Sequence, residues 1–352
     1  MTQAVDSRAA TAAARAARES YGRLLALVAA STHDLHLAED ALADALERAL
    51  RSWPESGVHD NPEGWLLTVA RNRLRDILGS AARRTSQPLD AEAEQRPSRG
   101  IDVDALLERA EGIPDKRLEL LFVCAHPAID ASIRTPLMLQ VVLGLDAASI
   151  ATAFDVAPAA MAQRLVRAKR RIGLTGIPFA VPSRAEMPAR LSAVLDAIYA
   201  AYAVDWLRQG EHYRESLADE ARWLAVLTAA LLNDVAEAWG LAALITLAQS
   251  RAPARIGDPW PPLDEQDTTL WNSELIAEGE ALLHRARRLD NPLGRFQLEA
   301  AIQSAHCDRA RMGEVDEEAL DRLYRGLLAV APSRGAADAY AALLARRDEA
   351  AD

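Results

Sequence analysis

Apolar residues recur at three- and four-residue intervals along almost the whole of this 352-residue chain. That spacing gathers them on one stripe of an α-helix rather than on one face of a strand. Ala38, Ala41, Leu42, Ala45, Leu46, Ala49 and Leu50 form one such continuous stripe. Aromatic residues are scarce, at 5% of the chain, while Ala, Leu and Arg abound, so an all-α fold with little or no sheet is expected. Half of the residues are apolar, enough to bury the two or three cores that this length implies.

Several function classes drop out at once. Arg, Asp or Glu interrupts every apolar stretch before it reaches the roughly 18 residues of a membrane span. The N-terminus lacks the basic, apolar and small-residue succession of a secretory signal, so a cytoplasmic protein without a membrane partner is expected. Cys124 and Cys307 lie far apart within helical patterns and read as buried free thiols, which excludes a disulfide scaffold. His126, His284 and His306 fall on different elements without ligand spacing, so no metal is expected. A Gly-rich phosphate loop, a nucleophile elbow and a plausible acid–base pair are all missing from the sequence, which argues against a cofactor and against an enzyme.

The net charge of −11 looks wrong for a nucleic-acid binder until it is divided along the chain. Residues 1–85 carry 11 basic against 11 acidic side chains, 86–112 carry 3 against 7, 113–174 carry 8 against 5, and 175–352 carry 18 against 28. The acid is mostly C-terminal. The positive charge concentrates further at Arg71, Arg73, Arg75, Arg83 and Arg84, and at Arg164, Arg167, Lys169, Arg170 and Arg171.

In the first segment, Glu39, Asp40, Asp44 and Glu47 occupy the face opposite the apolar stripe of residues 38–50. The pattern fits a solvated surface or a docking face for a basic partner. Turn formers from Trp53 to Asp60 predict a loop, and Asn61-Pro62-Glu63 reads as N-cap, first helical residue and dipole-compensating acid. The helix that follows turns Trp65, Leu66, Val69 and Leu74 inward and carries Arg71, Asn72, Arg73 and Arg75 within little more than one turn. Those residues suit a phosphate backbone, with Asn72 and Trp65 able to touch unstacked bases, as well as they suit plain solvation.

The middle segment follows a Pro- and acid-containing linker, 86–112, expected to become helical near Val103–Ala110. Helical patterns cover Leu118–Val123 and Pro136–Leu143, with Gly144 at a C-cap position. Ala147–Phe154, the turn Asp155-Val156-Ala157 and Pro158–Ile172 then have helix-turn-helix spacing. The second helix turns Met161, Leu165, Ala168 and Ile172 inward and presents Gln163, Arg164, Arg167, Lys169, Arg170 and Arg171 outward without an acid among them. A helix entering the negatively charged major groove needs that one-sidedness.

The order of these pieces resembles the sigma-70 family, and within it the extracytoplasmic-function (ECF) group reduced to regions 2 and 4. Leu37-Ala38-Glu39-Asp40-Ala41-Leu42 resembles region 2.2, and Asn61-Pro62-Glu63-Gly64-Trp65-Leu66-Leu67-Thr68-Val69-Ala70-Arg71-Asn72-Arg73 the minus-ten reading helix. Ile150–Ile172 is similar to region 4.2, which reads the minus-thirty-five element. Ile113-Pro114-Asp115, His126-Pro127-Ala128, Gly176-Ile177-Pro178-Phe179, Glu265-Gln266-Asp267 with Trp271, and Gln297-Leu298-Glu299-Ala300-Ala301-Ile302 resemble a subgroup with a tetratricopeptide-like extension.

The resemblance implies core RNA polymerase and promoter DNA as partners. It makes Glu39, Asp40, Asp44 and Glu47 docking residues, with a base of the non-template strand captured beside the minus-ten helix. Ala160 stands where Thr is common in the recognition helix and Ala43 where Gln is expected on the docking helix, which shifts those roles to Gln163, Arg164 and Arg167, and to Asp40 and Asp44. Ala203-Val204-Asp205-Trp206 likewise replaces an expected Asn-Glu-Gly-Tyr.

The implied organisation is region 2 over 1–85, linker 86–112, region 4 over 113–178 and a helical repeat-like extension over 179–352. In the extension, helical patterns cover Leu191–Leu207, Leu217–Leu232, Trp239–Gln249, Trp271–Leu289, Gln297–Ala305, Ala319–Val330 and Ala336–Leu344. A Pro-rich loop with Trp260 interrupts them. The acid excess of the extension fits contact with the basic sigma helices and a modulating role. The rival reading is a stand-alone helix-turn-helix regulator with a ligand- or protein-binding domain. Such a regulator has no use for the pattern over residues 38–76. The linker lets the two sigma domains adopt different relative positions, a closed one included.

Overall fold

Short polar residues at helix starts set the architecture. The computed structural model describes residues 20–32, 34–81, 115–175, 182–207, 215–255 and 261–351, and these are helical with no strand among them. They form two compact units, the first reaching to Val204 and the second starting at Asp205.

In the first unit α1 (Tyr21–Thr32), α2 (Leu35–Ser56) and α3 (Pro62–Ala81) pack into a three-helix lobe. Asp34 caps α2 through the Leu37 amide, and Asn61 accepts from the Gly64 amide at 2.9 Å at the start of α3. Both satisfy backbone donors that a helix start leaves without internal partners. Trp53, Leu66 and Ala70 are fully buried between α2 and α3.

The second lobe contains α4 (Lys116–Cys124), α5 (Ala131–Val141), α6 (Ala147–Ala153), α7 (Pro158–Thr175) and α8 (Met187–Leu207). Asp115, Asp130 and Asp146 cap α4, α5 and α6 in the same manner as Asp34. Every residue of α4 from Arg117 to Cys124 is buried, its guanidinium paired to Asp115 at 2.7 Å. The unit runs on past residue 178 because α8 is bolted to α4: buried Arg190 donates to the Phe122 carbonyl at 3.2 Å.

Two prolines lie inside helices where the sequence suggests breaks. The loop expected from Trp53 is still α2 as far as Ser56, with Pro54 in its last turn. The burial of Trp53 holds that turn, and Gly57, at φ +81°, returns its N–H to the Trp53 carbonyl. Likewise α5 begins five residues before Pro136. That proline lacks the N–H that would bond the Ser132 carbonyl. Arg164 of α7 reaches the freed oxygen at 3.4 Å and the Ser132 hydroxyl at 3.0 Å.

The second unit contains α9 (Glu215–Leu231), α10 (Ala236–Gln249), α11 (Ser273–Arg287), α12 (Arg295–Cys307), the one-turn α13 (Arg309–Met312), α14 (Glu317–Val330) and α15 (Arg334–Ala351). These follow the helical patterns of the sequence closely. Helix α10 is buried from Ala238 to Gln249 on every side, packed against α9, α11 and α12. An all-round apolar helix is the central post of such a bundle. Two glycines let its neighbours approach: a Cβ on Gly240 would lie 2.7 Å from the Gln297 amide of α12, and one on Gly279 of α11 would lie 2.6 Å from Leu247. The Glu237 carboxylate caps α12 across the interface, accepting from the Phe296 and Gln297 amides at 3.1 Å each. Trp271 lies between the guanidiniums of Arg251 and Arg309, at 5.8 and 5.2 Å from the ring centre.

Gly240→Ala should lower the melting temperature of the second unit, since its Cβ meets backbone that cannot rotate away, with a cost of about 1–3 kcal/mol. Calorimetry would read it. Burial, followed by the charges of Arg251, Arg346 and Arg309, lowers the pKa of His306 to about 4 from its ordinary 6.5. The unfolded chain therefore takes up this proton at higher pH than the folded one, so stability should fall as pH drops from 6.5 to 4 and be unaffected by this group above pH 7. At ~1.4 kcal/mol per pKa unit the loss is of the order of 3 kcal/mol. Denaturant titrations of His306→Asn should show that part of the acid slope removed.

Candidate nucleic-acid interface

Helix α3 buries Leu66, Ala70 and Leu74 and turns its other side outward. Asn72, Arg73 and Arg75 are exposed there, while Arg71 is half-buried with its Nε unbonded. Arg83 and Arg84 lie outside the described residues. Trp65 is half-buried rather than fully inward, tilted against the buried Trp53 at 5.4 Å. The imidazole of His59 stacks on Trp65 at 5.4 Å and 20°. A flat, partly open aromatic surface therefore sits at the mouth of the loop preceding α3, and it can accept a base by stacking.

The acidic face of α2 is largely neutralised within the fold. Asp44 pairs with Arg73 of α3, Glu47 with Arg51, and exposed Asp40 faces His36 at 3.3 Å. Between α2 and α3 lies a cleft of about 600 Å³ lined by both signs, Arg48, Arg51 and Arg73 together with Glu47, Glu55 and Asp76. Glu39 is not on the outer face: its side chain is 17% exposed and holds Lys169 of α7 at 3.0 Å.

In the second lobe α6 and α7 meet through a tight turn. Asp155 takes φ +50° there, and the Val156 amide closes back on the Ala151 carbonyl at 2.9 Å. Met161 and Leu165 are buried beneath α7. Ala160, Gln163, Arg167 and Arg170 fall three or four residues apart on its exposed side, with exposed Arg171 beside them. Arg164 and Lys169 are half-buried, the first tied to Ser132 and the second to Glu39. A groove of about 460 Å³ between α5 and α7 gathers Arg164, Arg167 and Arg171 around Ser132 and Asp130. The cationic face of the helix is thus real, and it is carried by fewer free groups than the sequence suggests.

Two residues escape the sequence reading. His59 lies in the loop and stacks on Trp65, a contact that no periodicity announces. Val166 is 60% exposed in the middle of the basic face, where an apolar side chain can meet a thymine methyl. Its signal was available, because Val166 is out of step with the inward series Met161, Leu165, Ala168 and Ile172. Among the described residues no group of three His, Cys, Asp or Glu side chains is placed to hold a metal ion, and no helix is long and apolar enough to cross a membrane.

Comparison with known proteins adds three findings. Residues 17–84, the lobe of α1 to α3, match the model of sigma-70 region 2. Residues 190–287 match a family of unknown function, DUF6596. The uncharacterized protein R00370 of Rhizobium meliloti (strain 1021) is 36% identical over 304 residues, which is 85% of this chain and 71% of that protein. No solved structure matches. With the region 2 match falling on the helices that carry Asp40, Asp44, Glu47 and the Trp65–Arg75 surface, the chain belongs to the sigma-70 family of RNA polymerase sigma factors.

Proposed function

We propose that this chain is a sigma factor of the ECF type, using two DNA-reading lobes and a C-terminal helical extension that modulates them. One observation carries the reading: the region 2 lobe is followed by a tight helix-turn-helix whose second helix, α7, presents a one-sided basic face. In this proposal Asp40, Asp44 and Glu47, with Glu39 once released from Lys169, dock on core polymerase. Arg71, Asn72, Arg73 and Arg75, with Arg83 and Arg84, track the minus-ten strand. Trp65 stacks an extruded base in place of the His59 ring, a contact of about 1–3 kcal/mol that offsets the lost pairing.

Helix α7 enters the major groove at the minus-thirty-five element. Gln163, Arg167 and Val166 reach base edges, and Lys169, Arg170 and Arg171 meet phosphates. Arg164 acts as a positioning residue by holding α7 on α5 through Ser132. The extension, continuous with α8 and rich in acid, sets how readily α7 is presented.

Run-off transcription with bacterial core polymerase on the DNA upstream of the chain's own gene should give a discrete transcript. Failure to transcribe and to bind core polymerase would end the sigma reading. Arg167→Ala should weaken promoter binding by about 5–150-fold, corresponding to roughly 1–3 kcal/mol, and relax the sequence preference at the base pair it reads. Asp40→Lys should weaken core binding and leave binding of free promoter duplex unchanged. A chain ending after Leu207 keeps every helix of the first unit, and its transcript yield relative to full length gives the sign of the extension's effect. Equal yields would remove the modulating role.

A further inference from the structure

We propose that the second unit carries a binding site for a small oxyanion, a phosphate or a carboxylate, formed by Arg251, Arg309, Trp271, Gln266 and His306. The site lies wholly within that unit, so it goes beyond the sigma reading and does not depend on it.

The chain brings these residues to one end of the bundle. Arg251 follows the last turn of α10, His306 and Cys307 end α12, Arg309 opens α13, and Trp271 stands just before α11. The Asn272 amide donates to the Ser250 carbonyl at 2.8 Å, which fixes the start of α11 against the end of α10. Gln266 and Trp271 belong to the Glu265-Gln266-Asp267 motif with its tryptophan, to which neither DNA-reading lobe gives a role.

Charge is the first sign of a ligand. The guanidiniums of Arg251 and Arg309 lie over the Trp271 ring, 5.8 and 5.2 Å from its centre. Arg251 is 2% exposed and donates to the Gln303 amide oxygen, to the Leu247 carbonyl at 3.5 Å and to Cys307 Sγ at 3.6 Å. Arg309 donates to the Leu263 carbonyl at 2.6 Å and to that of Gln266. All of these acceptors are uncharged, and among the described residues neither guanidinium pairs with a carboxylate. Glu280 is taken by Arg311 at 2.7 Å, and Asp264 is exposed. An arginine cannot shed its proton, so burying one without a counter-charge is costly.

Unused hydrogen-bonding groups are the second sign. Arg251 Nε and Trp271 Nε1 are buried N–H groups without an acceptor, and Gln266 Oε1 is a buried oxygen without a donor. Capping of α10 accounts for the contact of Arg251 with Leu247 and leaves these three atoms unexplained. One oxyanion supplies negative charge and acceptors together, and a hydroxyl on it, as in a protonated phosphate or a hydroxy acid, serves Gln266. The two guanidiniums exclude a cation. His306 fits the same ligand: burial and the charges of Arg251, Arg346 and Arg309 hold it neutral against the opposing charge of Asp264. An arriving anion reverses that balance and favours the imidazolium, a third cation facing the ligand.

The test uses the full chain with inorganic phosphate, acetate and lactate, sodium chloride holding the ionic strength constant. At about ten times its dissociation constant an anion should raise the melting temperature of the second unit by about 3–6 °C, and the effect should saturate. It should also move the titration of His306 from about 4 toward 6.5, read from the imidazole NMR signals that His306→Asn removes. Trp271→Phe keeps a ring and removes the N–H, and should weaken anion binding about tenfold. Should that variant fail to fold, Arg309→Gln, at a half-buried position, carries the same comparison. Binding of phosphate supports a phosphoryl ligand, and binding of lactate over acetate supports a hydroxy acid at the same residues.

The site is overturned if none of the three anions has a saturable effect, or if the His306 titration ignores them. Equal binding to wild type and variants, an adventitious ion only, overturns it too. None of these readouts involves polymerase or DNA, so their failure leaves the sigma reading untouched.

Discussion

From Arg117 onward helix α4 has no solvent face, and the first unit is arranged around that constraint. A nine-residue helix with every position from Arg117 onward buried must be covered on all sides. Helix α1 covers it from the N-terminal lobe, α5 packs on it, and α8 reaches its last turn through Arg190. Its polar groups are satisfied locally, Arg117 by Asp115 and Glu119 by Lys116 at 2.8 Å, so the cover can be apolar. Separating the lobes therefore exposes apolar surface on both α1 and α4.

Helix positions were legible from the sequence because their signals are local. Asp34, Asn61, Asp115, Asp130 and Asp146 each stand where a helix begins, and the three-four spacing of apolar residues continues inside. The tight turn between α6 and α7 was legible for the same reason, being closed by bonds within five residues. Pro54 and Pro136 misled because a proline is locally a helix breaker, and only distant partners override it: the packing of Trp53 in one case, Arg164 from another helix in the other.

The candidate site was legible in composition but not in state. Sequence separates acidic from basic faces, and does not say that Asp44 meets Arg73 or that Glu39 meets Lys169, because those pairs are made across 29 and 130 positions. What reads as an acidic stripe and a basic helix becomes, after folding, a set of groups already engaged with one another. Exposed ion pairs of this kind contribute little to stability, about 0–1 kcal/mol each. The half-buried Glu39–Lys169 pair is screened less by solvent.

The attachment of α8 has a mechanical consequence. The polypeptide of the second unit joins the first at the far end of α8, and α8 is fastened at its other end to α4 by Arg190. Among the described residues α8 is therefore a lever on the first unit: a load on its far end would be felt first at the Phe122 carbonyl, in the lobe that carries α7.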